Sequence, residues 1–372
     1  MEGERDARAC LKRGGAVAAR LPGFRTRAEQ LEMTAAVEEA LAGGRHLVVE
    51  AGTGVGKTFA YLVPLLLHVA RGGGPAVVAT RTIALQEQLV GKDIPLLAGA
   101  LGLEGLPVAL AKGRGNYVCL RRMELAWKEG RGLLATEEEL AQLGRVREWA
   151  FSSRDGTLSD LGFRPSADVW EAVRAEQGNC LHKRCRFYEP CPYQRSRREM
   201  HAARVIVANH ALVLADLALR QAGKSFLPDY ETLVVDEAHE LEESAAESFG
   251  VSVSRVAFSR QIARVFSLLP RVGGGDALRG VAGEVAEGAK GLFESAARLR
   301  GEAAERRLTA PGEFADPLSE PLGRLVASMR ARLASISDME LAFEWKARAG
   351  RLEELGEAVR LVHQLADSSH VC

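Results

Sequence analysis

Apolar residues in the first half of the chain gather in short, nearly unbroken runs instead of alternating with polar ones. His46-Leu47-Val48-Val49-Glu50, Ala76-Val77-Val78-Ala79-Thr80, Arg204 to Ala208 and Thr232 to Asp236 all have this form. Strands covered on both faces of a parallel sheet read this way, because neither face meets water. Stretches of helical length follow the first two: Thr58 to Ala70 and Ile83 to Leu97. Strands interleaved with helices predict an α/β fold built on a doubly wound parallel sheet.

The pattern changes twice. Between about Lys112 and Met200 strand signals fade, and charged helical stretches, aromatics and cysteines take over. Beyond Leu241 the chain is rich in Ala, Arg, Glu and Leu; Ala296 to Arg307 and Leu322 to Leu341 read as amphipathic helices, with breaks at Gly273 to Asp276 and Pro311 to Pro317. The expected organisation is an N-terminal segment 1–20, an α/β domain in two parts (21–111 and 201–240), a cysteine-bearing insertion 112–200, and a helical region 241–372.

Charge adds little at the scale of the whole chain. Forty-nine basic residues balance 49 acidic ones, so any nucleic-acid surface must be local. The longest apolar run, Tyr61 to Ala70, contains Pro64 and His68 and is too short to span a bilayer. Met1 to Arg20 lacks the continuous apolar stretch of a secretion signal. No membrane association and a cytoplasmic location are expected.

Ala51-Gly52-Thr53-Gly54-Val55-Gly56-Lys57-Thr58 fits the phosphate-loop pattern, with Ala51 at the usual first glycine. Glycines let the backbone curl so that successive N–H groups face one anion. The helix that follows presents its N-terminus to the same phosphates. Lys57 is placed to reach the β- and γ-phosphates of ATP, and Thr58 to offer its hydroxyl to Mg²⁺. Val234-Val235-Asp236-Glu237-Ala238-His239 supplies the second half: an apolar strand ending in two carboxylates, where ligands of open α/β sheets gather. Asp236 would hold Mg²⁺, and Glu237 would orient and activate the attacking water. Lys57, Asp236 and Glu237 are thus the catalytic candidates.

Four of the six cysteines, Cys119, Cys180, Cys185 and Cys191, fall in the insertion. In a chain of this kind a metal centre is favoured over disulfides. The spacing is not that of a zinc ribbon. Four thiolates hold zinc or an iron–sulfur cluster equally well by softness alone. Around them Lys183, Arg184, Arg186, Arg195, Arg197, Arg198 and Arg204 interleave with Phe187, Tyr188 and Tyr193. Cations that neutralise phosphates and aromatics that stack bases together suit a single strand gripped without sequence readout.

The Asp-Glu-Ala-His turn with a Gly-Thr-Gly-Val-Gly-Lys-Thr loop resembles the superfamily 2 helicases. Glu50-Ala51-Gly52-Thr53-Gly54 and Ala60-Tyr61-Leu62-Val63-Pro64 resemble the XPD/DinG group more narrowly. By that resemblance the α/β domain is the first of two RecA-like motor domains, and Gln30, in Phe24 to Met33, reads the adenine edge with Arg27 nearby. Thr80 to Leu89 is similar to the group's DNA-backbone contact, and Val207 to Leu212 also matches the group, with no chemistry assigned to His210. Gly113 to Cys119 and the later cysteine triplet look like the DinG branch's [4Fe–4S] domain, which implies that cluster over zinc, with the domain acting as a wedge where the duplex parts. Residues 241–372 resemble the group's arch, and Asp367 to Cys372 its turn back toward the motor.

The resemblance implies a 5′-to-3′ DNA helicase with single-stranded-DNA-stimulated ATPase, acting on single strands and duplex junctions, with a tie to DNA repair. No second RecA-like pattern follows His239. A partial chain needing that second domain in cis or in trans is therefore expected. The alternatives are a non-enzymatic nucleic-acid-binding module with a catalytically incomplete motor domain, and a non-helicase phosphate-loop ATPase.

Overall fold

In the computed structural model the described residues are 6–134, 136–273, 275–301, 307–308 and 310–364. The chain forms two compact units, residues 1–113 with 194–250, and residues 114–193 with 251–372.

The first unit holds a four-stranded parallel sheet. Its strands are β1 (Ala76–Thr80), β2 (Val108–Leu110), β3 (Val205–Asn209) and β4 (Thr232–Val235), in the order β2-β3-β1-β4. Ala76 stands beside Val205 on one side and Thr232 on the other. β1 is buried along its whole length, as its unbroken apolar run predicts. The helix Lys57–Ala70 is also buried on nearly every side from Ala60 to Leu67. Helix Ala28–Gly43 packs against it. The run expected as one helix from Ile83 to Leu97 is instead Ile83–Gln88, a wide π-type turn Leu89–Asp93, and Ile94–Leu101. β2 is too short to leave a periodic signal.

One expected strand is absent. Residues 45–50 are not in a strand, and Leu47, Val48 and Val49 are exposed, Val48 at 96%. A β-branched run becomes a strand only with a ladder partner. Among the described residues the outer edge of β4 is likewise unpaired. β4 is only half-buried, and Leu233 is exposed.

The second unit contains two apolar cores. Helices Leu120–Glu129, Glu137–Ser152 and Ala167–Val173 enclose Val118, Met123, Leu143, Val146 and Val169. Helices Arg255–Val272, Gly275–Arg300, Ser319–Arg332 and Met339–Gln364 enclose Phe258, Val265, Leu325, Met329, Trp345 and Leu352. Trp345 Nε1 donates to the Met329 carbonyl at 2.9 Å. The helix expected over Leu322 to Leu341 is two helices. The chain turns at residues 333–338, and Asp338 caps the second by accepting from Leu341 N at 3.1 Å. The helix expected at Ala296 to Arg307 is the end of Gly275–Arg300, and 302–306 lie outside the described residues. So do Asp367 to Cys372. No helix among the described residues is long and apolar enough to cross a membrane.

Candidate functional site

The phosphate loop leads directly into helix Lys57–Ala70. Gly54 and Gly56 have φ of 79° and 90°, a region that only glycine enters freely. A Cβ at Gly56 would also collide with Gln30 Nε2. That glycine is thus required twice, by conformation and by the approach of Gln30. Gln30 Nε2 donates to the Gly56 carbonyl at 3.1 Å, and Arg27 Nη1 donates to the Gly54 carbonyl. Gln30, expected to read the base, and Arg27, expected nearby, therefore brace the loop. Gln30 is 2% exposed, and its Oε1 has no partner. Beside it opens a cleft of about 460 Å³, lined among others by Phe24, Arg27, Gln30, Thr58, Phe59 and Asp93. Phe24 and Phe59 stack with ring centres 6.3 Å apart.

β4 delivers Asp236 and Glu237 to the same end of the sheet. Lys57 Nζ lies 3.0 Å from Glu237 Oε1, a contact across 180 residues of chain. The Tyr61 hydroxyl donates to Asp236 Oδ2 at 3.2 Å. Burial pushes the Asp236 carboxyl above its ordinary value, against the Tyr61 hydrogen bond that lowers it. Burial also pushes the Tyr61 phenol well up, with Asp236 adding to the effect, so Tyr61 stays a donor. Glu237 adopts φ +53°, one of two non-glycine residues in the left-handed region among those described. The other is His182, between Cys180 and Cys185.

Sequence reasoning gave no role to Tyr61 or His210. His210 is fully buried and its Nε2 lies 2.9 Å from the main-chain oxygen of Asp236. Neither has a local signature, since each acts across strands. In the segment after β1, Thr82 caps the helix, and Gln86 is buried, donating to the carbonyls of Ala111 and Val207. Arg81 is exposed and pairs with Glu240 and with Glu243, the latter at 3.0 Å.

Cys119, Cys180, Cys185 and Cys191 are half-buried, all in the second unit. Burial raises the Cys119 thiol, Arg121 and Arg122 oppose this, and Cys185 is close enough to add to the rise. The donor set suits a four-thiolate centre. As placed, the side chains do not converge: among the described residues no three His, Cys, Asp or Glu are arranged to hold a metal ion. A resident cluster would have to draw them together.

A buried charge network runs from this segment to helix Met339–Gln364. Arg121 and Arg122 lie 3.7 Å from Glu344, and Arg122 lies 3.4 Å from Glu176, which Arg348 also pairs. Burial alone would raise the Glu344 carboxyl, but Arg122 and Arg348 bring it down to about 2. The expected base-stacking aromatics divide. Tyr193 is buried against Tyr117 and Arg114, whereas Phe187 and Tyr188 are half-buried. Arg197 and Arg204 are spent on the carbonyls of Phe226 and Gly73.

Comparison with known proteins agrees with this geometry. Residues 32–142 match the DEAD/DEAH box helicase family and residues 172–258 the DEAD_2 family. The ATP-dependent DNA helicase YoaA of Escherichia coli is 37% identical over 250 residues, covering 67% of this chain and 38% of that protein. The ATP-dependent helicase DinG of Mycobacterium tuberculosis is 40% identical over 242 residues, covering 61% and 36%. DinG of Escherichia coli is 36% identical over 249 residues, covering 62% and 34%. The chain thus spans little more than a third of the length of these relatives.

Proposed function

Because this chain belongs to the DEAD/DEAH box helicases, in the lineage of the YoaA and DinG proteins, we propose that it is the nucleotide-binding part of an ATP-dependent DNA helicase. The observation that carries this is the meeting of Lys57 with Glu237 at 3.0 Å, joining phosphate loop and Asp-Glu turn in one site. Gly52 to Thr58 would wrap the triphosphate with backbone N–H groups, Ala51 opening the turn. The base would occupy the cleft beside Phe24 and Phe59, where the orphan Gln30 Oε1 accepts an exocyclic amine.

Lys57 holds Glu237 in the arrangement described. A triphosphate is the stronger competitor for that ammonium, so nucleotide entry would free Glu237 to orient a water. Thr58 and Asp236 would hold Mg²⁺, which neutralises phosphate charge. This unit furnishes one wall of the cleft. Rapid turnover calls for an arginine from a second RecA-like domain, in cis or in trans.

The DNA partner is read as single strands and duplex junctions, engaged through Thr80 to Leu89 and the basic segment around the cysteines. We read 5′-to-3′ polarity, single-stranded-DNA stimulation, a cytoplasmic location and an arch-like role for the helices after 250 from the resemblance. Cys119, Cys180, Cys185 and Cys191 would carry a [4Fe–4S] cluster, a structural support for the wedge. Iron and sulfide assays on anaerobically purified protein test it; colourless protein with stoichiometric zinc overturns it.

The activity test is phosphate release from ATP with and without single-stranded DNA, with the remaining part of a relative supplied in trans. DNA-stimulated release supports the reading. Mg·ATP binding without hydrolysis under those conditions would favour a non-enzymatic binding module.

A further inference from the structure

Resting on the nucleotide reading above, we propose that Tyr61 is a positioning residue for the metal-bearing Asp236, its hydroxyl holding that carboxylate to the phosphate-loop helix that also carries Thr58. Tyr61 lies three residues after Thr58 on the phosphate-loop helix, so both project from one face. It is 3% exposed. Its hydroxyl donates to Asp236 Oδ2 at 3.2 Å, and the Thr58 side chain lies near enough to act on the same phenol. The helix that carries Thr58 thus also holds Asp236, its expected partner on a cation, through one phenol.

The other groups around it fit the same role. His210, the first residue after β3, fixes the Asp236 carbonyl. Asp93, 6% exposed on the π-type turn, accepts from Gln88 Nε2 at 3.0 Å and adds its negative charge near the Tyr61 phenol. Asp236 is therefore held at its side chain by Tyr61 and at its backbone by His210. Two tethers on one residue fix the carboxylate's position before any cation arrives. Hydrogen bonds to metal-bearing side chains commonly change metal affinity by about 10–100-fold when removed.

The alternative is a core tyrosine whose hydroxyl found the nearest acceptor. That role would cost stability on removal but leave cation affinity unchanged. The test uses the full chain and its Tyr61→Phe variant. A fluorescent ADP analogue is titrated with and without Mg²⁺, and Mn²⁺ binding to the nucleotide-loaded protein is followed by electron paramagnetic resonance.

The expected result is unchanged metal-free nucleotide affinity and Mg²⁺ and Mn²⁺ affinities lowered about tenfold. Tyr61→His, which keeps a donor on a shorter ring, should recover part of that loss, and it also serves if the Phe variant folds poorly. A folded Phe variant with parental Mn²⁺ affinity overturns the positioning role alone. A parent chain that shows no cation-dependent nucleotide binding overturns the nucleotide reading and this inference with it.

Discussion

At Gly56 a single Cβ meets two obstacles: a φ of +90° and the amide of Gln30. The left-handed conformation alone costs a non-glycine residue roughly 1–2 kcal/mol. Gly56→Ala should therefore weaken binding of a fluorescent ADP analogue by about tenfold or more, and parental affinity would contradict the cradle described. Glu237→Gln should keep Mg·ATP binding. With the second motor domain and single-stranded DNA present, its phosphate release should fall by about 10²–10⁴-fold; a parental rate would remove Glu237 from its role. The identities of Lys57, Asp236 and Glu237 were legible because phosphate chemistry imposes a fixed local spacing. Tyr61 and His210 were not, because what they touch is decided by how β3, β4 and the phosphate-loop helix stack.

Among elements, β1 and β3 were readable from unbroken apolar runs, because burial on both faces leaves no alternation. The segment 45–50 has the same kind of run and is not a strand, since pairing is a property of neighbours. The helix break at residues 333–338 was missed because apolar spacing continues across it, while the chain turns after Arg332 and Asp338 caps the start of the next helix. Arg81, at the start of the segment after β1, is tied to Glu240 and Glu243 beyond the Asp-Glu turn. A DNA phosphate would compete for it. Arg81→Ala should weaken single-strand binding by a few-fold and lower the slope of log affinity against log salt by about 1. An unchanged slope would show that Arg81 makes no phosphate contact.

Over the whole molecule the four cysteines stand out in the sequence, but the charge network beside them does not. Arg121, Arg122, Glu176, Glu344 and Arg348 look like surface residues in sequence and are buried together or nearly so. Glu344→Ala would leave buried guanidinium groups uncompensated, a change that costs about 3–5 kcal/mol, measurable by denaturant titration of the helical signal. Glu344 is held at about 2 against an ordinary 4.5. A carboxyl lowered by folding stabilises above its ordinary value and loses that contribution as pH falls toward the folded value. The second unit should accordingly lose stability between about pH 4.5 and 2, and Glu344→Gln should flatten that part of the acid transition.

The open side of β4 has a consequence for the protein in a tube. Backbone groups along a half-exposed strand, unpaired among the described residues, together with Leu233 and the bare Leu47, Val48 and Val49, offer a template on which another extended chain can pair. Isolated preparations should grow in apparent mass with concentration during sedimentation. Charged replacements at Val48 and Leu233 should keep them monodisperse, and adding polypeptide from the part of a relative that this chain does not span should do the same if a strand from it docks there.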